Sequence, residues 1–328
     1  MKHRFFLACA MFTVSIFSGC QDELDINDSG NLVPKTVDLD PSLPSVSLNN
    51  ALFHAEAFGP ADGPLVVVLH GGPGSDYRYL LNCREFASQG YRVVFYDQRG
   101  TGLSQRFPKS HYTMQVAYDD LSGIISHYRT DPNQKVFLLG HSWGAMLASA
   151  YINQYPTAID GAILAEPGGL IWKDVKDYIT RSRKFKYLGE SLNDAVYADQ
   201  FVTGKTDQHA ILDYKFMLLT SKESSEIGNE GSLQEWRGGA VTFDAYLEIG
   251  DKQKPDWTTN LNKYTTQVLF IYSANNKAYG LQHAQKVSAP YPSVKLFKTE
   301  GAGHDMLSFP TGWSNTYPAM LDYLNSLK

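Results

Sequence analysis

Short apolar runs recur along the chain and predict the strands of a parallel sheet. They are rich in Val, Leu, Ile and aromatic residues and span residues 65–69, 91–96, 136–139, 162–165, 268–272 and 294–297. Their hydrophobicity is continuous rather than alternating, which is what strands covered on both faces require. Residues 46–48 and 51–58 predict an antiparallel hairpin at the leading edge of this sheet.

Helical patterns separate these strands, notably over residues 114–128, 143–154 and 281–288. Strand–helix alternation indicates a doubly wound, mostly parallel α/β sheet. The alternation stops between about Leu170 and Asp256, where the residues are typical of several helices. Two more strands follow this insertion, so we expect it to be a helical cap over the carboxyl edge of the sheet. The predicted organisation is an α/β core of residues 45–168 and 257–328 and a cap of residues 169–256.

The first residues of the chain predict export. A short positive start precedes an apolar run at residues 5–17, which is too short to span a bilayer as a stable helix. The run ends in Ser18, Gly19 and Cys20, an arrangement that resembles the lipobox of bacterial lipoproteins. The resemblance implies a signal peptide of residues 1–19 and a lipidated Cys20 as the mature N-terminus. An ordinary secretory signal cleaved nearby is the alternative.

The segment that follows the signal peptide is acidic and contains three prolines, so we expect residues 20–44 to be a solvated tether. Its acidity also resembles a surface-export signal of some Gram-negative lineages, although any solvated linker has the same character. We expect the protein to be lipid-anchored in the bacterial cell envelope, on the outer membrane. Exposure on the cell surface is one alternative within this expectation. Contact with the membrane is expected only through the N-terminal lipid.

The composition, net charge and cysteine count of the chain limit which classes of function are possible. With 43% hydrophobic and 19% charged residues, the 328-residue chain has the balance of a folded enzyme. Its formal net charge is −5 and it has no basic cluster, so nothing indicates a nucleic-acid partner. After Cys9 and Cys20 are assigned to the signal peptide and the lipid, only Cys83 remains, and we expect it to be a packing residue. No metal or cofactor is predicted, and the oligomeric state stays open.

Residues 140–144, Gly-His-Ser-Trp-Gly, match G-x-S-x-G between a predicted strand and a predicted helix. This context makes Ser142 a candidate nucleophile, held on a strained turn for which the flanking glycines leave room. Residues 70–74, His-Gly-Gly-Pro-Gly, follow the strand at 65–69. A glycine-rich turn there can present a backbone N–H that, with the N–H of Trp143, forms an oxyanion hole. A phosphate-binding loop is less compatible, because the G-K-[ST] ending is absent.

These two motifs, together with residues 97–104 and the Gly-Ala-Gly-His turn at 301–304, resemble the signatures of proline iminopeptidase-like α/β-hydrolases of the peptidase S33 type. Order and spacing agree over roughly residues 46–167 and 257–328. The resemblance implies the α/β-hydrolase fold and a cis peptide bond between Gly72 and Pro73. It also implies these roles: Ser142 as nucleophile, His304 as its general base, Gly72 and Trp143 as oxyanion donors, and structural roles for Asp97 and Arg99.

The third triad residue is where the chain departs from this family. The relatives place an aspartate just after the strand at 268–272, whereas this chain has Asn276 there. An amide cannot stabilise an imidazolium, and an Asp-to-Asn change in a Ser-His-Asp triad lowers kcat about 10⁴-fold. Glu166 ends the preceding predicted strand, a position at which many haloalkane dehalogenases hold their acid. We therefore predict the triad Ser142–His304–Glu166, with Asn276 as a secondary group near His304. A capping or hinge carboxylate is the alternative for Glu166.

The substrate is less constrained. The resemblance implies cleavage of an N-terminal residue, often proline, from a peptide whose ammonium is bound by cap carboxylates. The family's cap often carries a Trp-Glu pair, whereas this chain has Glu235, Trp236 and Arg237. Arg237 either favours a carboxylate-bearing substrate or is a solvated arginine. The hypotheses are an aminopeptidase-like hydrolase of small peptides or amides, a carboxylesterase of small esters, and an inactive surface-binding lipoprotein, which only Asn276 favours.

Overall fold

The computed structural model describes residues 33–182, 208–220 and 225–328. Within them, eight strands form one sheet in the order β1-β2-β4-β3-β5-β6-β7-β8. The β1–β2 and β2–β4 pairs are antiparallel, and every later pair is parallel. The strands are β1 (Ser45–Leu48), β2 (Ala51–Phe58), β3 (Leu65–Leu69), β4 (Arg92–Tyr96), β5 (Val136–His141), β6 (Gly161–Ala165), β7 (Val268–Ser273) and β8 (Val294–Thr299).

The helices of these residues alternate with the strands, apart from the insertion between β6 and β7. They are α1 (Met114–Tyr128), α2 (Trp143–Gln154), α3 (Trp172–Ser182), α4 (Gln208–Thr220), α5 (Ala240–Gln253), α6 (Gly280–Ser288) and α7 (Pro310–Ser326), with a 3₁₀ segment at Arg78–Gln89. The predicted bounds of α1 and α2 are confirmed. Thr113 begins α1 because its hydroxyl accepts the Val116 N–H, as an N-cap residue does.

The sheet is covered on both faces, which explains the continuous apolar runs. Successive residues of a strand point to opposite faces. Leu65, Val67 and Leu69 accordingly join one hydrophobic cluster, while Val66 and Val68 join the other. Each of these five side chains is fully buried, so the prediction of a doubly covered α/β sheet is confirmed.

The edges of the sheet agree less well with a uniform apolar pattern. Strand β8 is an edge strand on which Leu296 is exposed. The sequence pattern did not predict α7, in which Pro318 and several short polar residues interrupt the apolar period. This helix nevertheless closes one face, because the Tyr323 hydroxyl accepts the N–H of Ala162 and donates to the carbonyl of Gln267.

The described end of the predicted tether is mostly exposed, as expected, but it also contacts the core at two buried residues. Thr36 and Val37 are buried. The Val37 N–H donates to the carbonyl of Leu103, and the carbonyl of Pro34 accepts a bond from Arg237. Backbone hydrogen bonds dock this segment, and they leave no periodic trace in the sequence. The signal peptide, Cys20 and the first part of the tether lie outside the described residues.

The described part of the predicted cap consists of α3, α4, α5 and their connections. Asp213 of α4 accepts hydrogen bonds from Arg106 and Arg237 at 3.0 and 2.8 Å, and it is 1% exposed. Arg106 also donates to the carbonyls of Gly102 and Gly238. One buried carboxylate therefore joins the cap to the loop after β4. No helix in the described ranges combines the length and apolarity that crossing a membrane requires.

Arg237 corrects a further expectation. It is 2% exposed, so it is not a solvated arginine. Its Nε and Nη1 atoms donate to Asp213 and to the carbonyl of Pro34. It is held by contacts inside the protein, with the Asp213 carboxylate shared with Arg106, and the structure does not support its assignment to a substrate carboxylate.

Candidate active site

Ser142 lies on a sharp turn between β5, which ends at His141, and α2, which begins at Trp143. Its backbone adopts φ 53° and ψ −117°, a strained conformation for a residue with a side chain. The Ser142 N–H donates to the carbonyl of Ala165 at 2.8 Å, which holds the turn against β6. A Cβ atom at Gly144 would lie 2.0 Å from the Leu69 carbonyl oxygen, so only glycine allows α2 to pack this close to β3.

The glycine-rich loop after β3 lies beside this serine. A Cβ atom at Gly71 would lie 3.2 Å from the Cβ of Ser142. The peptide between Gly72 and Pro73 is cis, as predicted, and Gly72 has φ +117°. The structure thus places the expected oxyanion donors, Gly72 and Trp143, on the two segments that border Ser142.

His70 and Gln98 fix this loop. The Gln98 N–H donates to His70 Nε2 at 3.0 Å, so Nδ1 carries the ring proton and donates to the Gly71 carbonyl. Burial lowers the pKa of His70, which keeps the ring in this neutral form. The Gln98 side chain donates to the His70 carbonyl and accepts the indole N–H of Trp143. Sequence analysis assigned no role to either side chain, although both lie inside the recognised motifs.

Glu166 and His304 are in contact. The Oε2 atom of Glu166 lies 2.7 Å from Nδ1 of His304, within hydrogen-bond distance. Glu166 is fully buried, whereas the His304 side chain is 13% exposed. Glu166 follows β6 directly and has φ 45°, in the left-handed region. Its N–H donates to the carbonyl of Ile271, so the turn is held by β7.

The remaining lone pairs of Glu166 are occupied by donors from the end of β7. Oε1 accepts both the N–H and the hydroxyl of Ser273 at 2.7 Å, and Oε2 accepts the side-chain amide of Asn276 at 2.7 Å. Hydrogen-bond donors of this kind offset the cost of burying a carboxylate group. Asn276 is therefore a group near His304, as expected, and its amide donates to Glu166. Ser273 was missed by sequence analysis.

Tyr178 of α3 brings the cap to the same cluster. Its hydroxyl oxygen accepts the amide of Asn276 at 3.1 Å and lies 3.3 Å from His304 Nδ1. Burial and the charge of Glu166 raise the pKa of Tyr178, so the phenol stays protonated. Its role depends on how α3 packs against the core, and no motif near residue 178 indicates it.

The backbone of His304 is held from two sides. Its N–H donates to the carbonyl of Ile227 at 2.8 Å, and its carbonyl oxygen lies 2.9 Å from Nε2 of His141. A Cβ atom at Gly303 would lie 2.1 Å from the carbonyl of Gly228. The glycine before His304 therefore allows the histidine turn to contact the 3₁₀ segment of the cap.

Asp97 and Arg99 have structural contacts. The carboxylate of Asp97 accepts bonds from the N–H groups of Tyr77 and Leu103 and lies 2.8 Å from His54 Nδ1. Arg99 donates through Nε and Nη2 to Asp120 at 2.7 and 2.8 Å. These contacts fold the loop after β4, in agreement with the structural roles that the family resemblance implies.

One group within the described residues has the composition of a metal site. Ligand atoms of His141, His304 and Asp305 lie within 4.8 Å of one another. The Nε2 atom of His141 faces the carbonyl oxygen of His304. A metal ion could use that nitrogen only after displacing this contact.

Known proteins resemble this chain in the expected way. The family model described as serine aminopeptidase, S33, matches residues 61–308. A proline iminopeptidase of Lactobacillus helveticus is 28% identical over 74% of this chain and 84% of its own length. Proline iminopeptidase PfmaB of Pestalotiopsis fici is 24% identical over 80% of this chain and 92% of its own length.

Solved structures share the fold. The proline iminopeptidase-related protein of Thermus thermophilus has a TM-score of 0.56 at 22% identity, covering 85% of this chain and 96% of its own. An enol-lactonase of Burkholderia xenovorans has a TM-score of 0.59 at 17% identity, covering 86% of this chain and 100% of its own. At these identities the likeness concerns the fold.

Proposed function

Because this chain is a hydrolase that belongs to the serine aminopeptidase S33 family, we propose that Ser142, His304 and Glu166 form its catalytic triad. The proposed activity is cleavage of small peptides or amides, in the manner of an aminopeptidase. The contact that carries the proposal is the 2.7 Å approach of Glu166 to His304 Nδ1. A catalytic triad needs a buried carboxylate in contact with a histidine that is itself partly exposed to the substrate.

Each residue then has a defined step. The Ser142 hydroxyl attacks the scissile carbonyl carbon while His304 Nε2 takes its proton. Glu166 accepts the Nδ1–H of His304 and stabilises the imidazolium. The N–H groups of Gly72 and Trp143 donate to the oxyanion. The C–N bond breaks as His304 gives its proton to the amine, and water then hydrolyses the acyl-serine by the same route.

The charges near the glycine loop favour a cationic substrate group. The pKa of Tyr79, whose hydroxyl contacts the N–H of Gly71, is raised by burial and further by the charges of Asp305, Glu235 and Asp76. Asp305 and Glu235 therefore place negative charge near the loop, whereas Arg106 and Arg237 share the carboxylate of Asp213. A substrate ammonium would be attracted by this potential, as an aminopeptidase requires.

The nucleophile can be tested by covalent labelling. A fluorophosphonate should label the wild type and the Ser149→Ala variant, which removes another buried serine hydroxyl of α2. The Ser142→Ala variant should not be labelled. Labelling that persists in Ser142→Ala, or no labelling of folded wild type, would refute the proposed triad.

Turnover then separates the two substrate classes. We expect hydrolysis of a proline naphthylamide, because an amine leaving group needs the proton that His304 holds. A matched naphthyl ester serves as the comparison, since an alkoxide leaves more easily. Rapid ester turnover with no amide turnover would replace the aminopeptidase proposal by a carboxylesterase, and labelling without either turnover would leave only the nucleophile supported.

We also propose that Cys20 carries lipid and that residues 1–19 are removed. The support is the apolar run that ends in Ser18, Gly19 and Cys20. Several acyl chains hold a protein on a membrane firmly, whereas a single chain does so only marginally. Cys20→Ser should block lipid incorporation and move the protein out of the membrane fraction. Cys9→Ser, in the same segment, should change neither. Unchanged fractionation of Cys20→Ser would contradict the anchor.

A further inference from the structure

Three buried hydrogen bonds form a relay that connects the glycine loop to the backbone of His304. The Gly71 N–H donates to the Tyr79 oxygen at 2.6 Å. The Tyr79 hydroxyl lies 2.9 Å from Nδ1 of His141. Nε2 of His141 lies 2.9 Å from the carbonyl oxygen of His304. Tyr79 is 5% and His141 1% exposed, so water does not compete for these bonds.

The two ends of this relay fix the direction of every proton. A backbone N–H only donates, so the Tyr79 oxygen accepts from Gly71 and its own hydrogen is free to point at His141. A backbone carbonyl only accepts, so Nε2 of His141 must carry a hydrogen. The neutral ring of His141 then has its lone pair on Nδ1, and this nitrogen accepts the hydrogen of the Tyr79 hydroxyl. The opposite tautomer would place two lone pairs against each other at His304.

We propose that Tyr79 and His141 are positioning residues that hold the oxyanion loop and the histidine turn in fixed relation to each other. The inference rests on the proposed triad, because it assigns the loop and the turn to one reaction. Neither side chain is exposed enough to touch substrate, so both act through Gly71 and His304. His141, the variable residue of the G-x-S-x-G motif, thereby acquires a role beyond occupying space before Ser142.

The surroundings of His141 keep the required tautomer. Burial and the neighbouring His304 lower the pKa of His141 to about 3. The carboxylate of Asp305 lies 3.8 Å from Nε2, beyond hydrogen-bond distance, and the ring contacts Tyr79 edge-on. Burial also raises the pKa of Tyr79, so the hydroxyl keeps its hydrogen. Near neutral pH, His141 and Tyr79 therefore both keep the protonation that the relay requires.

The first test compares variants that break the relay at different points. Tyr79→Phe and His141→Leu should each lower kcat at least about 10-fold, because small displacements of reacting groups cost up to about 100-fold in rate. KM should change less than about threefold, since neither residue contacts substrate. Glutamine can still donate toward the His304 carbonyl, so His141→Gln should recover part of the loss. The double variant Tyr79→Phe/His141→Leu should lose no more than the worse single variant, because either change already breaks the relay.

Tyr91→Phe is the matched control. It also removes a buried tyrosine hydroxyl, which donates to Asn325 away from the site, and kcat should stay at the wild-type value. If the wild type labels with fluorophosphonate but folded Tyr79→Phe and His141→Leu keep kcat within twofold, the relay is refuted and the triad stands. If the wild type does not label, the proposed triad itself fails.

A second measurement does not depend on variants that fold. In wild-type protein with ¹⁵N-labelled histidine, NMR should show His141 as the neutral Nε2–H tautomer from about pH 5 to 8, a range in which an unperturbed histidine changes charge. An Nδ1–H tautomer, or protonation near the ordinary histidine pKa, would overturn the proton arrangement on which the relay depends.

Discussion

Glu166→Gln should lower kcat by about 10⁴-fold, the loss that follows when a triad acid becomes an amide. The carboxylate oxygen 2.7 Å from His304 Nδ1 both fixes the ring tautomer and balances the imidazolium. A glutamine amide supplies no charge, and its NH₂ group facing Nδ1 would favour the wrong tautomer. Steady-state kinetics on the amide substrate, with thermal unfolding of each variant, measures the effect separately from folding.

Asn276 makes this prediction sharper. Its amide contacts Glu166 Oε2 at 2.7 Å, so its side chain already lies in the same cluster. Asn276→Asp in the Glu166→Gln background should restore part of the lost rate, because a second carboxylate could then reach Nδ1. Glu248→Gln, on the cap surface, is the control and should have wild-type kcat. A fully active Glu166→Gln enzyme would mean that a Ser–His dyad or another acid carries the reaction.

The fold and the sharp turn at Ser142 could be predicted because their signals are local. Both faces of β3 are buried, and this alone makes Leu65–Leu69 continuously apolar. Ser142 is recognised because strand, glycine turn and helix follow one another without interruption. The helix that begins at Trp143 can lie against β3 only if residue 144 is glycine, so the second glycine of the motif directly indicates this close packing.

The acid could be narrowed to two strand ends but not chosen by pattern alone. In parallel sheets the carboxyl ends of neighbouring strands lie side by side, so Glu166 after β6 and Asn276 after β7 approach the same histidine. Only chemistry separated them, because an amide cannot balance an imidazolium. The structure shows that the two side chains are hydrogen-bonded to each other and that Asn276 also contacts Tyr178, so the amide is a donor to the proposed acid.

What the sequence could not predict depends on long-range packing of the cap. Tyr178 lies 3.3 Å from His304 only because α3 docks against the turn after β7. Arg237 had the pattern of a surface residue or a substrate contact, yet its partner Asp213 lies on helix α4. Thr36 and Val37 are buried through contacts that carry no periodicity. In each case the two contacting segments are distant in sequence, and no sequence pattern indicates that they meet.

Asp213→Asn should lower the free energy of unfolding by about 3–5 kcal/mol, the cost of breaking a buried ion pair on one side. Asp213 is 1% exposed and accepts from Arg106, Arg237 and the first N–H of α5. An amide would remove the carboxylate charge that the two buried guanidinium groups share.

Chemical denaturation measures this loss, with Asp244→Asn as the control. Asp244 pairs with Lys109 at the surface, where a salt bridge contributes about 0–1 kcal/mol. Arg237→Met in the Asp213→Asn background should recover part of the lost free energy of unfolding, because it removes one of the two buried guanidinium charges that paired with Asp213. If Asp213→Asn is no less stable than Asp244→Asn, this carboxylate does not hold the cap on the loop after β4, and the cap must be held by its apolar contacts.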